Sequence, residues 1–140
     1  MAALTITVAE VLPGAGANID GSRVAGESIT QGQSVYLAAA GTWMKAQCDG
    51  TAIENGSLGL GIALCPALTN QPIQVQLAGI ITVGASAAPV VGTVYSVGRA
   101  YGSIVPHADL ASTDRVAILG VASSTSAIDM VIKRYTSYTV

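Results

Sequence analysis

Turn-forming residues interrupt this chain so often that no long helix fits between them. Sixteen glycines and five prolines occur among its 140 residues, and short turn signals recur from one end to the other. The clearest are Asp20-Gly21, Gln31-Gly32, Asp49-Gly50, Asn55-Gly56 and Tyr101-Gly102. Segments of five to eight residues remain between such turns, which is the usual length of a β-strand.

Within three of these segments, apolar side chains alternate with polar or small ones. The apolar positions are Leu4, Ile6 and Val8, then Ile73, Val75 and Leu77, and then Ile128, Met130 and Ile132. A period of two places one face of a strand in a core and the other face outside. The sequence therefore predicts an all-β domain, either a compact β-sandwich or a small β-barrel of short antiparallel strands.

A weak internal echo recurs at an offset of 59 residues. It pairs Val35-Tyr36 with Val94-Tyr95, and Leu60-Gly61-Ile62-Ala63 with Leu119-Gly120-Val121-Ala122. This predicts one β domain over residues 22–140 with two similar halves, 26–83 and 84–140. Residues 1–21 lie outside the echo and contain the flexible run 13–18, so we expect an N-terminal arm or arm-like strand.

Charged side chains are scarce and unevenly placed. Only six basic and eight acidic residues occur, and none lies in the 44 residues from Asn55 to Gly98. A soluble domain usually devotes about a quarter of its residues to these types. We therefore expect part of the surface to be covered by other protein, and we expect a homo-oligomer.

Other partners are disfavoured by the same pattern. The uncharged window Leu77–Val94 is interrupted by glycines and a proline, which argues against a membrane-spanning helix. The only clustered cations are Lys133 and Arg134, too few for nucleic acid. No basic segment precedes an apolar run at the amino terminus, so we expect synthesis in the cytoplasm without a secretory signal.

Few residues could carry enzyme chemistry. A Ser-His-Asp set could be written with His107 and Asp109, but no nucleophile motif supports it, and Asp109 and Asp114 are more typical of turn-forming carboxylates than of an acid–base pair. Cys48, Cys65 and His107 lack the paired spacing of a zinc site. Cys48 and Cys65 are interpreted as small buried thiols, with a single bridge between them left open. We expect a structural protein, not an enzyme, with no cofactor, metal or small-molecule substrate.

Five residues are candidates for contact with another chain. Trp43 is either a hairpin residue in the core or an interface anchor, since tryptophan is frequent among interface hot spots. Tyr135 and Tyr138 lie in a terminal segment that could pair with a neighbour's sheet edge, and Leu4 and Ile6 belong to the predicted arm.

The order of several strand-like motifs resembles that of the capsid decoration, or cement, proteins of tailed bacteriophages. These motifs are Gly32–Leu37, Gly41–Ala46, Leu60–Leu64, Val90–Val97, Gly102–Pro106 and Val116–Ala122. The resemblance covers about two thirds of the chain and consists of strand and turn spacing. It implies a β-rich homotrimer on the outer surface of the virion, bound to the major capsid protein and made in the host cytoplasm. The alternatives are a tail or fibre component and, from another class, a small β-barrel hydrolase or ligand carrier.

Overall fold

The computed structural model describes the backbone of residues 3–139 and the side chains of residues 3–134. That range contains two single-turn 3₁₀ helices, Val8–Glu10 and His107–Asp109, and no α-helix. The all-β prediction is confirmed. The strands are β1 (Leu12–Pro13), β2 (Asn18–Val24), β3 (Ser34–Leu37), β4 (Trp43–Lys45), β5 (Leu60–Ala63), β6 (Pro72–Thr82), β7 (Val94–Val97), β8 (Ile104–Pro106), β9 (Arg115–Ala122) and β10 (Ala127–Thr139).

These strands form one antiparallel sheet that curls into a half-barrel. The strand order is β4-β3-β5-β6-β10-β9-β7-β8, and β1 and β2 both pair with β6. Strand β6 meets β5 through its first half and β10 through its second half, where Ile81 faces Ile128. Strand β6 thus joins the strands β4, β3 and β5 to the strands β10, β9, β7 and β8.

The strand pairing repeats along the chain. Strands β4, β3, β5 and β6 follow one another in the sheet as β8, β7, β9 and β10 do, and the two sets join where β6 pairs with β10. The sequence echo falls on this repeat, because its first motif lies in β3 and β7 and its second in β5 and β9. Each half is therefore a four-stranded unit with the same order of pairing.

Two glycines of the echo, Gly61 and Gly120, occupy positions where the next strand comes too close for a side chain. A Cβ on Gly61 would lie 2.6 Å from the carbonyl oxygen of Gln76, and one on Gly120 would lie 2.9 Å from Met130 Cα. Both distances are shorter than real Cβ contacts. The repeated glycine is thus explained by close packing of backbone on backbone.

The two halves differ in the direction of their echoed side chains. Ile62 is fully buried, whereas its counterpart Val121 is 39% exposed. The pairing of β7 with β9 shifts by one residue between Tyr95 and Ser96, and no such shift interrupts the pairing of β3 with β5. A one-residue shift turns the side chains that follow to the opposite face of the sheet.

Buried side chains form two cores. The first core lies inside the curl and draws on both halves; it comprises Val11, Tyr36, Ala46, Cys48, Leu60, Ile62, Ile81, Val83, Tyr95, Val97, Ile104, Leu110, Ala117, Leu119, Ala122, Ile128 and Met130. The second core belongs to the first half alone; it comprises Ala25, Ile29, Val35, Trp43, Ala63, Ala67, Ile73 and Val75. The first half of the sheet is therefore covered on both faces.

Backbone hydrogen bonds bring the two ends of the sheet together. The N–H of Cys48, beyond β4, donates to the carbonyl of Gly98 (2.9 Å), and the N–H of Gly102, before β8, donates to the carbonyl of Ala46 (2.8 Å). The carbonyl of Cys48 also accepts from the N–H of Arg115 (3.0 Å). These contacts close the curl around the first core.

We predict that Gly61→Ala and Gly120→Ala each lower the free energy of unfolding by about 1–3 kcal/mol, because the added methyl group must displace the backbone of the next strand. Denaturant unfolding measures the change. Gly21→Ala is the matched control, since its Cβ would meet only Gln74 Cγ at 3.8 Å. Equal stability of all three variants would contradict this explanation of the echo.

Candidate interaction surface

The charge-free segment Asn55–Gly98 supplies β5, β6 and β7 and the two loops that flank β6. Its strands contribute to both cores, so the exposed apolar side chains of the segment lie mainly in the loops. Leu68 in the β5–β6 loop (residues 64–71) is 61% exposed, and Val90 and Val91 in the β6–β7 loop (residues 83–93) are 50% and 56% exposed. Leu58, just before β5, is a further exposed apolar residue of the segment (53%), and the two loops contribute the other three.

The β5–β6 loop is held firmly although it is exposed. Ala67 exchanges two backbone hydrogen bonds with Ile29, at 2.8 and 3.0 Å, and the N–H of Leu68 donates to Gln71 Oε1 (2.8 Å). A shallow pocket of about 360 Å³ lies beside it. The pocket lining contains no charged side chain: Ser28, Ile29, Thr30, Pro66, Ala67, Leu68 and Gln71.

The β6–β7 loop is anchored at several points along its length. The carbonyl of Ser126 accepts from the N–H groups of Val83 (2.9 Å) and Gly84 (3.0 Å), and the N–H of Val90 donates to the hydroxyl of Tyr95 (2.9 Å). The carboxylate of Glu10 lies against this loop, and hydrogen bonds from Ser86 lower its pKa. The loop therefore presents two valines on a fixed backbone.

These two loops lie at opposite ends of β6. An eleven-residue strand spans roughly 35 Å at the usual rise of about 3.3 Å per residue. The molecule consequently offers two uncharged apolar contacts separated by nearly the length of the domain. Such an arrangement can touch two neighbouring proteins, or two parts of one large protein.

Trp43 lies in the second core and is 2% exposed. Its indole N–H donates to Asp20 Oδ2 (3.3 Å), which belongs to β2. The pKa of Asp20 is lowered chiefly by hydrogen bonds from Ser22, so the acceptor stays ionised at neutral pH. Of the two interpretations, this position is that of a core residue of the hairpin, because the ring is buried within its own chain.

Leu4 and Ile6 pack next to each other against the body of their own domain. Both are partly buried against the first core, and the N–H of Leu4 donates to the carbonyl of Ile104 in β8 (2.9 Å). They line a pocket of about 240 Å³ with Gln33 and Tyr101. The N-terminal segment then continues antiparallel along β6 as β1 and β2. Its action as an arm toward another chain stays a prediction.

The remaining predicted interface residues, Tyr135 and Tyr138, belong to β10. Their side chains lie outside the described part of the structure, so their predicted role is untested. The structure therefore brings Leu4 and Ile6 together but separates them from Trp43. Sequence reasoning missed Leu68, Val90 and Val91. The available signal was an apolar residue beside a turn former, as with Pro66, Pro89 and Gly92, in the segment that carries no charge.

The residues considered for catalysis are dispersed or engaged. Ser96 Oγ lies 3.3 Å from His107 Nδ1, but Ser96 is fully buried on β7. Asp114 is buried and accepts from Arg99 Nε and from the N–H of Ala111, both at 2.8 Å. In the part of the chain that the structure describes, no group of three potential metal ligands is present.

The two cysteines are free thiols in separate environments. Cys48 is buried in the first core, where burial raises its pKa to about 12, whereas Cys65 packs against the second core. Cys65 Sγ accepts a hydrogen bond from the N–H of Gln74 (3.3 Å). The bridge that the sequence left open is therefore absent here.

In comparisons with known proteins, no family model and no curated sequence matches this chain. Among residues 3–139, no helix is long and apolar enough to cross a membrane.

We predict that Trp43→Ala lowers the free energy of unfolding by about 3–5 kcal/mol, because the buried ring is the largest side chain of the second core. Trp43→Phe keeps most of that packing and should cost less. Denaturant unfolding followed by far-ultraviolet circular dichroism measures both. An alanine variant as stable as the wild type would show that the ring is not part of the core.

Proposed function

We propose that this protein is a capsid decoration protein, which binds the outside of an expanded phage head and joins neighbouring major capsid subunits. The observation that carries the proposal is the pair of uncharged, exposed apolar loops at opposite ends of β6. The resemblance of residues 32–122 to decoration proteins supports it independently. The same proposal places the protein on the virion surface as a homotrimer.

The physical requirement for such a protein is modest affinity at several points. Packaged DNA presses outward on a thin shell, and a ligand that binds only the expanded lattice stabilises that lattice by mass action. Contacts at both ends of one rigid domain, repeated in a trimer, act together through effective concentration. Weak individual contacts are then sufficient.

The anchoring of both loops suits this role. Leu68 and Val91 sit on backbone already fixed by hydrogen bonds, so binding costs little conformational entropy. Neither loop carries a charged side chain of its own, so a contact confined to Leu68 or Val91 places no charge of the loop in an apolar interface. Each loop can therefore form a dry contact on a matching apolar surface.

We expect Leu68→Glu and Val91→Glu each to weaken binding to expanded, empty heads at least tenfold, because a carboxylate would be forced into an apolar contact. Co-sedimentation with heads measures binding. The control is Ile19→Glu, at an apolar residue of β2 that is 40% exposed and lies in neither loop. All three variants should melt like the wild type. Full binding by both loop variants, or binding to purified tails instead of heads, would contradict the proposal.

We expect light scattering of the purified protein to give three times the 14.0 kDa mass of one chain. The reason is that a chain with this few charges needs cover for its apolar surface. A monomer both free in solution and on heads would contradict the trimer while leaving the loop experiment unaffected.

A further inference from the structure

Arg134 on β10 carries a guanidinium edge with no partner. Its Nε and Nη2 atoms are buried and have no hydrogen-bond acceptor. These two atoms form the side of the guanidinium that holds a carboxylate through two parallel hydrogen bonds. Buried N–H groups without an acceptor are unfavourable, so this position needs an explanation.

A second arginine lies beside it. Arg134 pairs with Ala117 on β9, and Arg115 is two residues from Ala117 on that strand. Diagonal neighbours of this kind are within reach of long side chains, and like charges so placed repel. Arg115 Nε donates to the carbonyl of Gly50 (3.1 Å), which is a neutral acceptor. Burial, and secondarily Arg115, lowers the pKa of Arg134.

The ion pairs among the described side chains all lie elsewhere. Asp20 pairs with Arg23, Glu27 with Lys45, and both Asp49 and Asp114 with Arg99. None of these pairs includes Arg115, Lys133 or Arg134. Among the side chains that the structure describes, Arg115 at the start of β9 and Lys133 and Arg134 in β10 therefore have no carboxylate partner.

We propose that Arg134, assisted by Arg115, is a binding site for a carboxylate group supplied by an acidic side chain of the protein on which this chain docks. That the carboxylate comes from the capsid protein rests on the proposed function, whereas the ability of the site to bind a carboxylate does not. Arg134 is partly exposed, and the proposal requires its side chain to rotate until the unpartnered edge faces the docking protein.

A carboxylate fits this site better than a nucleic-acid phosphate. One guanidinium edge matches the two oxygens of a single carboxylate. Nucleic-acid binding requires a wider field of cations, and here only Lys133 adds to the two arginines. Lys133 is exposed, and alternation along β10 directs it to the opposite face from Arg134.

The chemistry is tested with free acetate as the probe. The melting temperature of the wild type, of Arg134→Met and of Lys133→Met is followed in sodium acetate and in sodium chloride of equal ionic strength, up to about 0.5 M. We expect acetate to raise the melting temperature of the wild type and of Lys133→Met by several degrees more than chloride does. The difference should vanish in Arg134→Met.

In chloride alone, Arg134→Met should be at least as stable as the wild type, because the apolar side chain removes two buried N–H groups that have no acceptor. A large loss of stability in this variant, with no acetate effect in the wild type, would overturn the site. Binding of a double-stranded DNA oligonucleotide that depends on Arg134 at physiological salt would overturn the choice of carboxylate.

The donor is tested with expanded heads. Arg134→Met should weaken co-sedimentation about tenfold or more, whereas Lys133→Met should stay within about twofold of the wild type, because a buried pair contributes far more than an exposed charge. An acetate effect without any loss of head binding would overturn the capsid as donor. Loss of head binding in both Leu68→Glu and Val91→Glu, with no effect of Arg134→Met, would uphold the proposed function and reject this site as its contact.

Discussion

Strand β6 is the element on which the rest of this structure depends, because it belongs to both halves of the sheet. Its first half pairs with β5 and carries Ile73 and Val75 into the second core; its second half pairs with β10 and carries Ile81 into the first core. In a regular strand, these three odd-numbered residues would point to the same face of the sheet. Because they enter different cores, the strand must be irregular between Val75 and Ile81. Gly79 provides this irregularity with φ +88°, a conformation that other residues rarely adopt.

The irregularity at Gly79, where β6 passes from one core to the other, is stabilised by Gln76 of the same strand and by the N-terminal segment. Gln76 is fully buried, and its Nε2 donates to the carbonyls of Ala78 (3.1 Å) and Ile80 (2.9 Å), on either side of Gly79. Across the strand, Gly14 and Ala15 form backbone hydrogen bonds with Ile80. Hydrogen bonds within β6 and from the N-terminal segment therefore fix the middle of the strand. We expect this to keep the two exposed loops at a constant separation.

Charge is distributed unevenly over the sheet. Strands β5, β6 and β7 carry no charged side chain, whereas β2, β9 and β10 do. One ion pair, Asp20 with Arg23, lies on β2, and in the loops Arg99 joins the buried Asp114 and the exposed Asp49. Among the described side chains, the cations of β9 and β10 have no ion-pair partner. Two kinds of surface then remain for other molecules: uncharged apolar loops, and one cationic site with an unpartnered edge.

Local features of the sequence determined the class of fold and its repetition. Period-two runs such as Ile73, Val75 and Leu77 and closely spaced turn signals specify strands, and the echoed Gly61 and Gly120 mark equivalent close approaches of backbone. The tertiary structure alone decided which way side chains face and what covers them. A one-residue shift in β9 exposes Val121 where Ile62 is buried, and residues from several strands and loops bury Trp43. The burial of the guanidinium edge of Arg134 likewise depends on tertiary packing, because a local sequence pattern does not specify which side chains cover a strand.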